Sequence, residues 1–141
     1  MNFPIVLTSY NRPHILQQCV KSLLKNNLER KIYVFQDGPK NKIEEKIVYK
    51  CIDICKNLTT NIFVNNKNLG LALNLKRARD FIFKNYDQAI FIEDDVYLHS
   101  YYIDQLEDLY SKTNHYPFGI FSCYGDLEKT PVFNNIFTNS E

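Results

Sequence analysis

Short apolar runs alternate along this chain with longer segments whose apolar residues recur at helical spacing. The runs are rich in β-branched and aromatic residues and are bounded by polar residues, which is typical of strands; they cover 3–9, 31–36, 61–64, 89–93 and 119–123. Helical spacing is found at about 13–26, 43–55, 71–84 and 100–112. This alternation predicts βαβ units, and hence an α/β fold with a mostly parallel sheet covered by helices on both faces.

The third helical segment is predicted to place one apolar side on the sheet. Its inward residues are expected to be Leu71, Leu75, Ala78, Phe81 and Ile82. Beyond Gly125 no pattern identifies an element. Asparagine is abundant throughout, so no single asparagine is taken as evidence of a site.

Length and composition indicate one globular domain, residues 1–141, with 45% hydrophobic residues to form a core. The net charge of +1 provides no general attraction to nucleic acid, and no nucleic-acid partner is expected. No segment is long and apolar enough to span a membrane, and the first residues lack the features of a signal peptide. A cytoplasmic location is therefore expected.

The cysteines are predicted to be buried free thiols in a reducing cytosol. They are Cys19, Cys51, Cys55 and Cys123. Only Cys51 and Cys55 are close in sequence, and no second close pair or nearby histidine accompanies them, which argues against a zinc site.

Three consecutive carboxylates, Glu93, Asp94 and Asp95, follow the apolar run at 89–92. Adjacent like charges repel, so a fold that keeps them together usually supplies a cation, often a hard metal held by oxygen ligands. Mg²⁺ or Mn²⁺ would suit such a site and would leave coordination positions for phosphate oxygens. The alternative is a solvated acidic turn between a strand and a helix.

Polar residues follow the other predicted strands as well. These are the loop at 8–12, Asp37, and the loop at 68–70. In an open parallel sheet the loops at the carboxyl ends of the strands share one crevice, where ligands bind. We therefore expect these loops and the acidic run to lie together.

Several α/β chemistries lack their motifs here. The chain has four glycines, and none forms G-x-G-x-x-G after the first strand; the P-loop and the G-x-S-x-G elbow are also missing. The histidines form no recognisable catalytic motif: His14, His99 and His115. A receiver domain would carry its acidic pair after the first strand, where this chain has Thr8, Ser9 and Tyr10.

Four motifs together resemble the donor-binding half of a GT-A glycosyltransferase, a Rossmann-like fold. They are FPIVLTSYNRP from residue 3, VFQDGP from 34, NLGLA from 68 and FIEDDV from 91. The resemblance runs to about residue 109; it is closest to inverting enzymes similar to N-acetylglucosaminyltransferase I, with family 2 transferases next. Because complete GT-A domains are longer, the chain is expected to be an N-terminal half, apparently truncated.

The resemblance implies roles for individual residues. Asp95 would be the direct metal ligand, and Glu93 and Asp94 would contact ribose, sugar or metal-bound water. Arg12 would pair with the donor diphosphate through its fork of donors; the alternative is a surface arginine beside Pro13.

The nucleotide contacts are implied in the same way. Thr8 and Ser9 would contact the nucleotide, and Asp37 would accept from uracil N3–H; a turn at Asp-Gly-Pro is the alternative for Asp37, and both can hold together. Asn68 and Gly70 would shape the loop over the donor, or form an ordinary helix entry. Arg77 is a further candidate for reaching the donor, against a position on a solvated face.

The implied function is metal-dependent transfer of a sugar from a nucleotide-sugar, a UDP-sugar by resemblance, to a hydroxyl of a carbohydrate or other acceptor. No catalytic base is assigned, since the later acids lack a recognisable context: Asp126, Glu128 and Glu141. The alternative is a non-catalytic nucleotide-sugar-binding or interaction module. An exposed sheet edge, left where a missing half would pack, would favour association with another copy.

Overall fold

A computed structural model describes residues 3–26 and 28–112 of the chain. In order, its elements are β1 Ile5–Ser9, α1 Pro13–Leu23, β2 Ile32–Gln36, α2 Lys42–Cys55, β3 Ile62–Val64, α3 Leu71–Ile82, β4 Ile90–Glu93 and α4 Tyr102–Lys112. The chain forms two compact units, Met1–Glu107 and Asp108–Glu141. The structure describes only residues 108–112 of the second unit, so the single-domain assignment stays a prediction. The predicted strand at 119–123 lies outside the described residues, together with His115, Cys123, Asp126, Glu128 and Glu141.

The sheet is parallel throughout, with strand order β3-β2-β1-β4. β1 pairs on both sides, so that Ser9 lies opposite Gln36 and Thr8 lies opposite Glu93. The predicted α/β architecture is therefore confirmed, and the ends of the strands meet at one edge as expected.

Residues of β1 alternate between two packing layers, as the period of a strand requires. Ile5 and Leu7 belong to a core cluster with residues of α1 and α2, whereas Val6 packs in a second cluster with Ala78 and Ile82 of α3. All three β1 side chains are fully buried. Burial of each contributes about 1.5–3 kcal/mol, which explains why a parallel strand reads as a continuous apolar run.

Aromatic rings hold α3 against the sheet. Phe35 of β2 stacks on Phe63 of β3 with ring centroids 5.0 Å apart, and Phe81 of α3 lies 4.6 Å from Phe63. Such pairs contribute about 0.5–1.5 kcal/mol beyond the area they bury. They fix the position of α3 relative to the strand ends.

The predicted inner side of α3 was wrong at its first residue. Leu71 is 64% exposed, and the buried residues of the helix are Asn74, Ala78 and Ile82. Leu71 begins the helix at the carboxyl edge of the sheet, where the strands no longer cover it. Asn74 is buried instead because its amide bonds to groups at the strand ends.

None of the helices within 3–26 and 28–112 combines the length and the apolar character needed to cross a membrane.

At the opposite edge, an ion pair joins the start of β2 to α4. Arg30 Nη1 donates to Glu107 Oε1 at 2.6 Å, and the two side chains are 4% and 10% exposed. Glu107 also accepts from the backbone N–H of Phe3, which precedes β1. The pair therefore connects three segments of the chain at one buried point.

Replacing Arg30 by alanine is expected to lower the free energy of unfolding by about 3 kcal/mol, because it removes the guanidinium that pairs with the buried Glu107 carboxylate. Lys56→Ala is the control, since Lys56 pairs with Asp53 where both side chains are more than 60% exposed. That change should cost about 0.5 kcal/mol or less. Urea unfolding of both variants measures the difference, and equal effects would contradict the structural role of Arg30.

Three of the predicted free thiols, Cys19, Cys51 and Cys55, are buried and unpaired by disulfide. Burial, and secondarily the nearby carboxylate of Asp94, raises the pKa of Cys19 to about 12 and that of Cys51 to about 11. Burial likewise raises the pKa of Cys55 to about 12. Since the thiolate is the reactive form, we expect these buried thiols to react slowly in the folded protein.

In a Cys123→Ser variant at neutral pH, we expect a thiol reagent such as DTNB to react slowly with the native protein and to modify three thiols at once in denaturant. At pH 9 the native rate should still lie far below that of a free thiol, because thiols with a pKa of about 11 to 12 stay almost fully protonated there, whereas a free thiol with a pKa of about 8.5 is mostly thiolate. Fast modification of any of the three without unfolding would show that the described packing is wrong.

Candidate functional site

The acidic run and Arg12 meet at the carboxyl edge of the sheet. The guanidinium of Arg12 bridges two carboxylates: Nη2 donates to Asp94 Oδ1, and Nη1 donates to Asp95 Oδ2 at 3.1 Å. The side chains of Arg12 and Asp95 are 44% and 45% exposed, whereas that of Asp94 is 5% exposed. Asp94 and Asp95 lie 82 and 83 positions after Arg12 in sequence. The positive charge of Arg12 therefore compensates the repulsion between these adjacent acids.

The three acids have different surroundings. Asp94 accepts from Arg12 and, through Oδ2, from the backbone N–H of Tyr10 at 3.3 Å, so both of its oxygens are engaged. Asp95 is held through one oxygen only, and Glu93 is exposed. Asp94 thus fixes the exit of β1 to the exit of β4, while Asp95 and Glu93 remain accessible.

Arg12 stays charged in this setting. Partial burial lowers the pKa of its guanidinium, but the hydrogen bonds and charges of Asp94 and Asp95 raise that pKa further, and the net shift is upward. The site therefore carries a permanent cation beside an exposed carboxylate.

Tyr10 is a structural residue that the sequence did not single out. The hydroxyl of Tyr10 donates to Glu44, and the same carboxylate accepts from the backbone N–H of Lys40 at 2.9 Å. The backbone carbonyl of Tyr10 accepts from Gln36 Nε2 at 2.6 Å. Burial and the Glu44 carboxylate raise the pKa of Tyr10, and the Tyr10 hydrogen bond lowers the pKa of Glu44. An aromatic residue within a polar strand-end loop was the available signal.

Asp37 is 3% exposed and accepts five hydrogen bonds from protein donors. Oδ1 accepts from the N–H groups of Gly38 and Leu69 and from Asn65 Nδ2, while Oδ2 accepts from the N–H of Gly70 and from Asn68 Nδ2; all five distances are 2.9–3.0 Å. A carboxylate offers about four lone-pair positions. The predicted contact with a base would therefore require one of these donors to move, whereas the predicted turn contact at Gly38 is present.

Glycines allow this close approach. A Cβ at Gly38 would lie 2.4 Å from the carbonyl oxygen of Asn65, a distance that no side chain tolerates. Gly70 has φ 80°, a left-handed conformation that glycine adopts without strain. Asn68 and Gly70, predicted to shape the donor loop, both contact Asp37, which explains how that loop is held.

Thr8 and Ser9 lie at the end of β1 and are 5% and 4% exposed. Their burial leaves little of either side chain open to a ligand. The structure thus brings the strand-end residues to one edge, as predicted, but Asp37, Asp94, Thr8 and Ser9 are mostly covered.

The described residues can accommodate a divalent ion in one arrangement. Within 3–26 and 28–112, no three His, Cys, Asp or Glu side chains gather as a metal-binding group. Mg²⁺, however, is commonly held by one or two carboxylates together with substrate phosphates and water. Asp95, half exposed and engaged through one oxygen, fits such a ligand, and Asp94 does not because both its oxygens are held.

The family profile described as Glycosyl transferase family 2 matches residues 5–134. No curated protein matches the chain. The match spans every strand and helix described above, and it confirms the predicted GT-A glycosyltransferase class. Of the two groups that the sequence motifs resemble, family 2 is the one matched.

Asp37→Asn should lower the free energy of unfolding by about 3 kcal/mol, because an amide NH₂ would face buried N–H donors that now reach a carboxylate oxygen. Asp53→Asn makes the same chemical change at a side chain that is 70% exposed, and about 0.5 kcal/mol or less is expected there. Chemical unfolding of both variants provides the comparison. A loss at Asp37 no larger than that at Asp53 would mean that the five hydrogen bonds do not hold the loop.

Proposed function

Because the chain belongs to glycosyl transferase family 2, we propose that its donor is a UDP-sugar and that the transfer depends on a divalent metal, Mn²⁺ or Mg²⁺. The observation that carries this proposal is the arginine-bridged acid pair at the carboxyl edge of a parallel sheet. Such an edge is where open α/β sheets bind nucleotides.

Arg12 supplies the geometry for a diphosphate. Its planar fork can donate to two oxygens at once, the arrangement in which arginine binds carboxylates or phosphates. In this structure the fork holds Asp94 and Asp95. The Asp95 contact is the more exposed of the two, and it is the one that a diphosphate oxygen would replace while Asp94 keeps the guanidinium in place.

Asp95 is the residue we assign to the metal. When bound, the ion would neutralise charge on the departing nucleoside diphosphate, so that transfer needs no covalent enzyme intermediate. Asp94 would then act by holding Arg12 and the β1 exit. Glu93, which is exposed at the same strand end, is assigned to the ribose or the sugar.

The nucleotide is assigned to the segment around Asp37. Thr8 and Ser9 would contribute the edge of β1, and Asn68 and Gly70 the loop over the donor. In this proposal a uracil that bonds to Asp37 takes the place of one loop donor. Two of those donors belong to Asn side chains, which can swing away more easily than the backbone.

Finer features follow from the resemblance and from burial. The transferred group is a hexosyl or N-acetylhexosaminyl unit, and the acceptor is a hydroxyl of a carbohydrate or another molecule. The buried thiols Cys19, Cys51 and Cys55, which form no disulfide, suit a reducing compartment and support a cytoplasmic location. No described residue is assigned as catalytic base.

Calorimetric titration with UDP, UDP-N-acetylglucosamine and GDP tests the proposal, in Mn²⁺ and in chelator. We expect UDP to bind in Mn²⁺, to weaken strongly in chelator, and to bind about tenfold or more weakly to Asp95→Asn, a loss of roughly 1.4 kcal/mol or more. Asp53→Asn, which changes the same group far from the site, should bind UDP like the unaltered chain.

Binding that is indifferent to chelator and to Asp95→Asn would refute the metal assignment. Failure of the folded chain to bind any nucleotide would favour the interaction-module alternative.

A further inference from the structure

Three polar side chains, Asn65, Asn74 and Arg77, form a hydrogen-bonded relay beside Asp37. We propose that Asn65 and Asn74 are positioning residues that fix the Arg77 guanidinium at the donor site, where it donates a hydrogen bond to an oxygen of the nucleotide. This inference rests on the proposed function. Asn65 and Asn74 contact each other and the strand ends, and no sequence motif indicated a role for either.

The relay starts from the rigid part of the sheet. Asn74, in α3, is 3% exposed, and its Nδ2 donates to the backbone carbonyl of Phe35 in β2 at 2.9 Å. Because the nitrogen of the amide is committed to a strand carbonyl, its Oδ1 must face the other way. There it accepts from Asn65 Nδ2 at 3.0 Å.

Asn65 then has its own amide fixed. It is 7% exposed, and its Nδ2 donates one hydrogen to Asn74 Oδ1 and the other to Asp37 Oδ1, both at 3.0 Å. With both hydrogens used, Oδ1 is directed to Arg77, whose Nη1 donates to it. Every hydrogen-bonding position of this amide but one lone pair is therefore used, which leaves one orientation.

Arg77 is held from two directions. Its guanidinium carbon lies 5.7 Å from the centroid of the Phe35 ring, a cation–π arrangement, while Nη1 is bonded to Asn65. Within the described part of the chain, Arg12 and Arg30 both have carboxylate partners within 4 Å, whereas Arg77 is bonded to a neutral amide. A cation that is held rigidly without a bonded counter-charge is suited to an anionic ligand.

The position agrees with such a role. Arg77 lies in the second turn of α3, whose first residue is at the carboxyl edge, and Phe35 comes two residues before Asp37. Pre-orientation by Asn65 and Asn74 lowers the entropy cost of ordering a long side chain when the ligand binds. Asn74 and Asn65 thereby connect the buried end of β2 to the positive charge of Arg77 at the edge of the sheet.

The test is a double-mutant cycle on UDP affinity with Asn74→Ala, Arg77→Ala and the double variant. Each single change should weaken UDP binding by about tenfold, the loss of one hydrogen bond to a charged group, and the double variant should bind like Arg77→Ala alone. Arg79→Ala, on the exposed side of the same helix, is the control and should leave UDP affinity unchanged.

Additive losses in the double variant, or an Asn74→Ala variant that loses stability but not UDP affinity, would overturn the proposal. If Asn74→Ala does not fold, Asn65→Ala interrupts the same relay from the other side and is held to the same outcomes.

A second readout does not need the nucleotide. The Nε–H signal of Arg77 in the NMR spectrum of the free protein should be sharp and distinct, and Asn74→Ala should broaden it or move it to the position of a solvated arginine. An unchanged signal in Asn74→Ala would contradict the relay. Should the unaltered chain bind no nucleotide, the proposed function fails, while this signal still decides whether Asn74 positions Arg77.

Discussion

The parallel pairing of β1 with a neighbour on each side is the constraint on which the site depends. β1 is fully buried, and it aligns Ser9 with the end of β2 and Thr8 with the end of β4. Because parallel strands end at the same edge, the pairing of the strands brings together loop residues that are 82 to 84 positions apart in sequence. The burial of three apolar side chains, Ile5, Val6 and Leu7, thus determines where the polar residues of the loops lie.

At this edge two buried carboxylates act as anchors, and less buried charged side chains lie beside them. Asp94 anchors Arg12, and Asp37 anchors the loop that leads into α3. Each anchor is a carboxylate whose oxygens are occupied by protein donors, so its cost of burial is offset. In the proposed function, the groups beside them, Asp95 and Arg77, are the ones that interact with a ligand.

Much of the fold was predictable from sequence, because strand and helix periods are local properties. The eight described elements agree with the predicted runs to within a few residues at their ends. The inner side of α3 was the exception: Asn74 was not among the predicted inward residues, yet two hydrogen bonds of its side-chain amide satisfy it in a buried position. The spacing of apolar residues within a helix does not reveal hydrogen-bond partners such as Asn65 and Phe35, which lie 9 and 39 positions from Asn74 in sequence.

The meeting of the strand-end loops was predictable, but the side-chain partners within them were not. Sequence reasoning expected a metal to balance the acids and a diphosphate to bind Arg12; the structure shows Arg12 and two of the acids paired with each other. It also gives Asp37 a set of five donors, one of them from Asn65, a side chain that no sequence motif indicated. Side-chain pairing between distant loops is a property of the folded chain, whereas the meeting of the loops follows from the strand order.

The most direct test of the central claim is a crystal structure of the chain with UDP and Mn²⁺. We expect electron density for the nucleotide at the carboxyl edge, Mn²⁺ on Asp95, and Arg12 turned from Asp95 to the diphosphate while it remains bonded to Asp94. Nucleotide density elsewhere on the protein, or at this edge with the Arg12–Asp95 pair intact and no metal on Asp95, would contradict it.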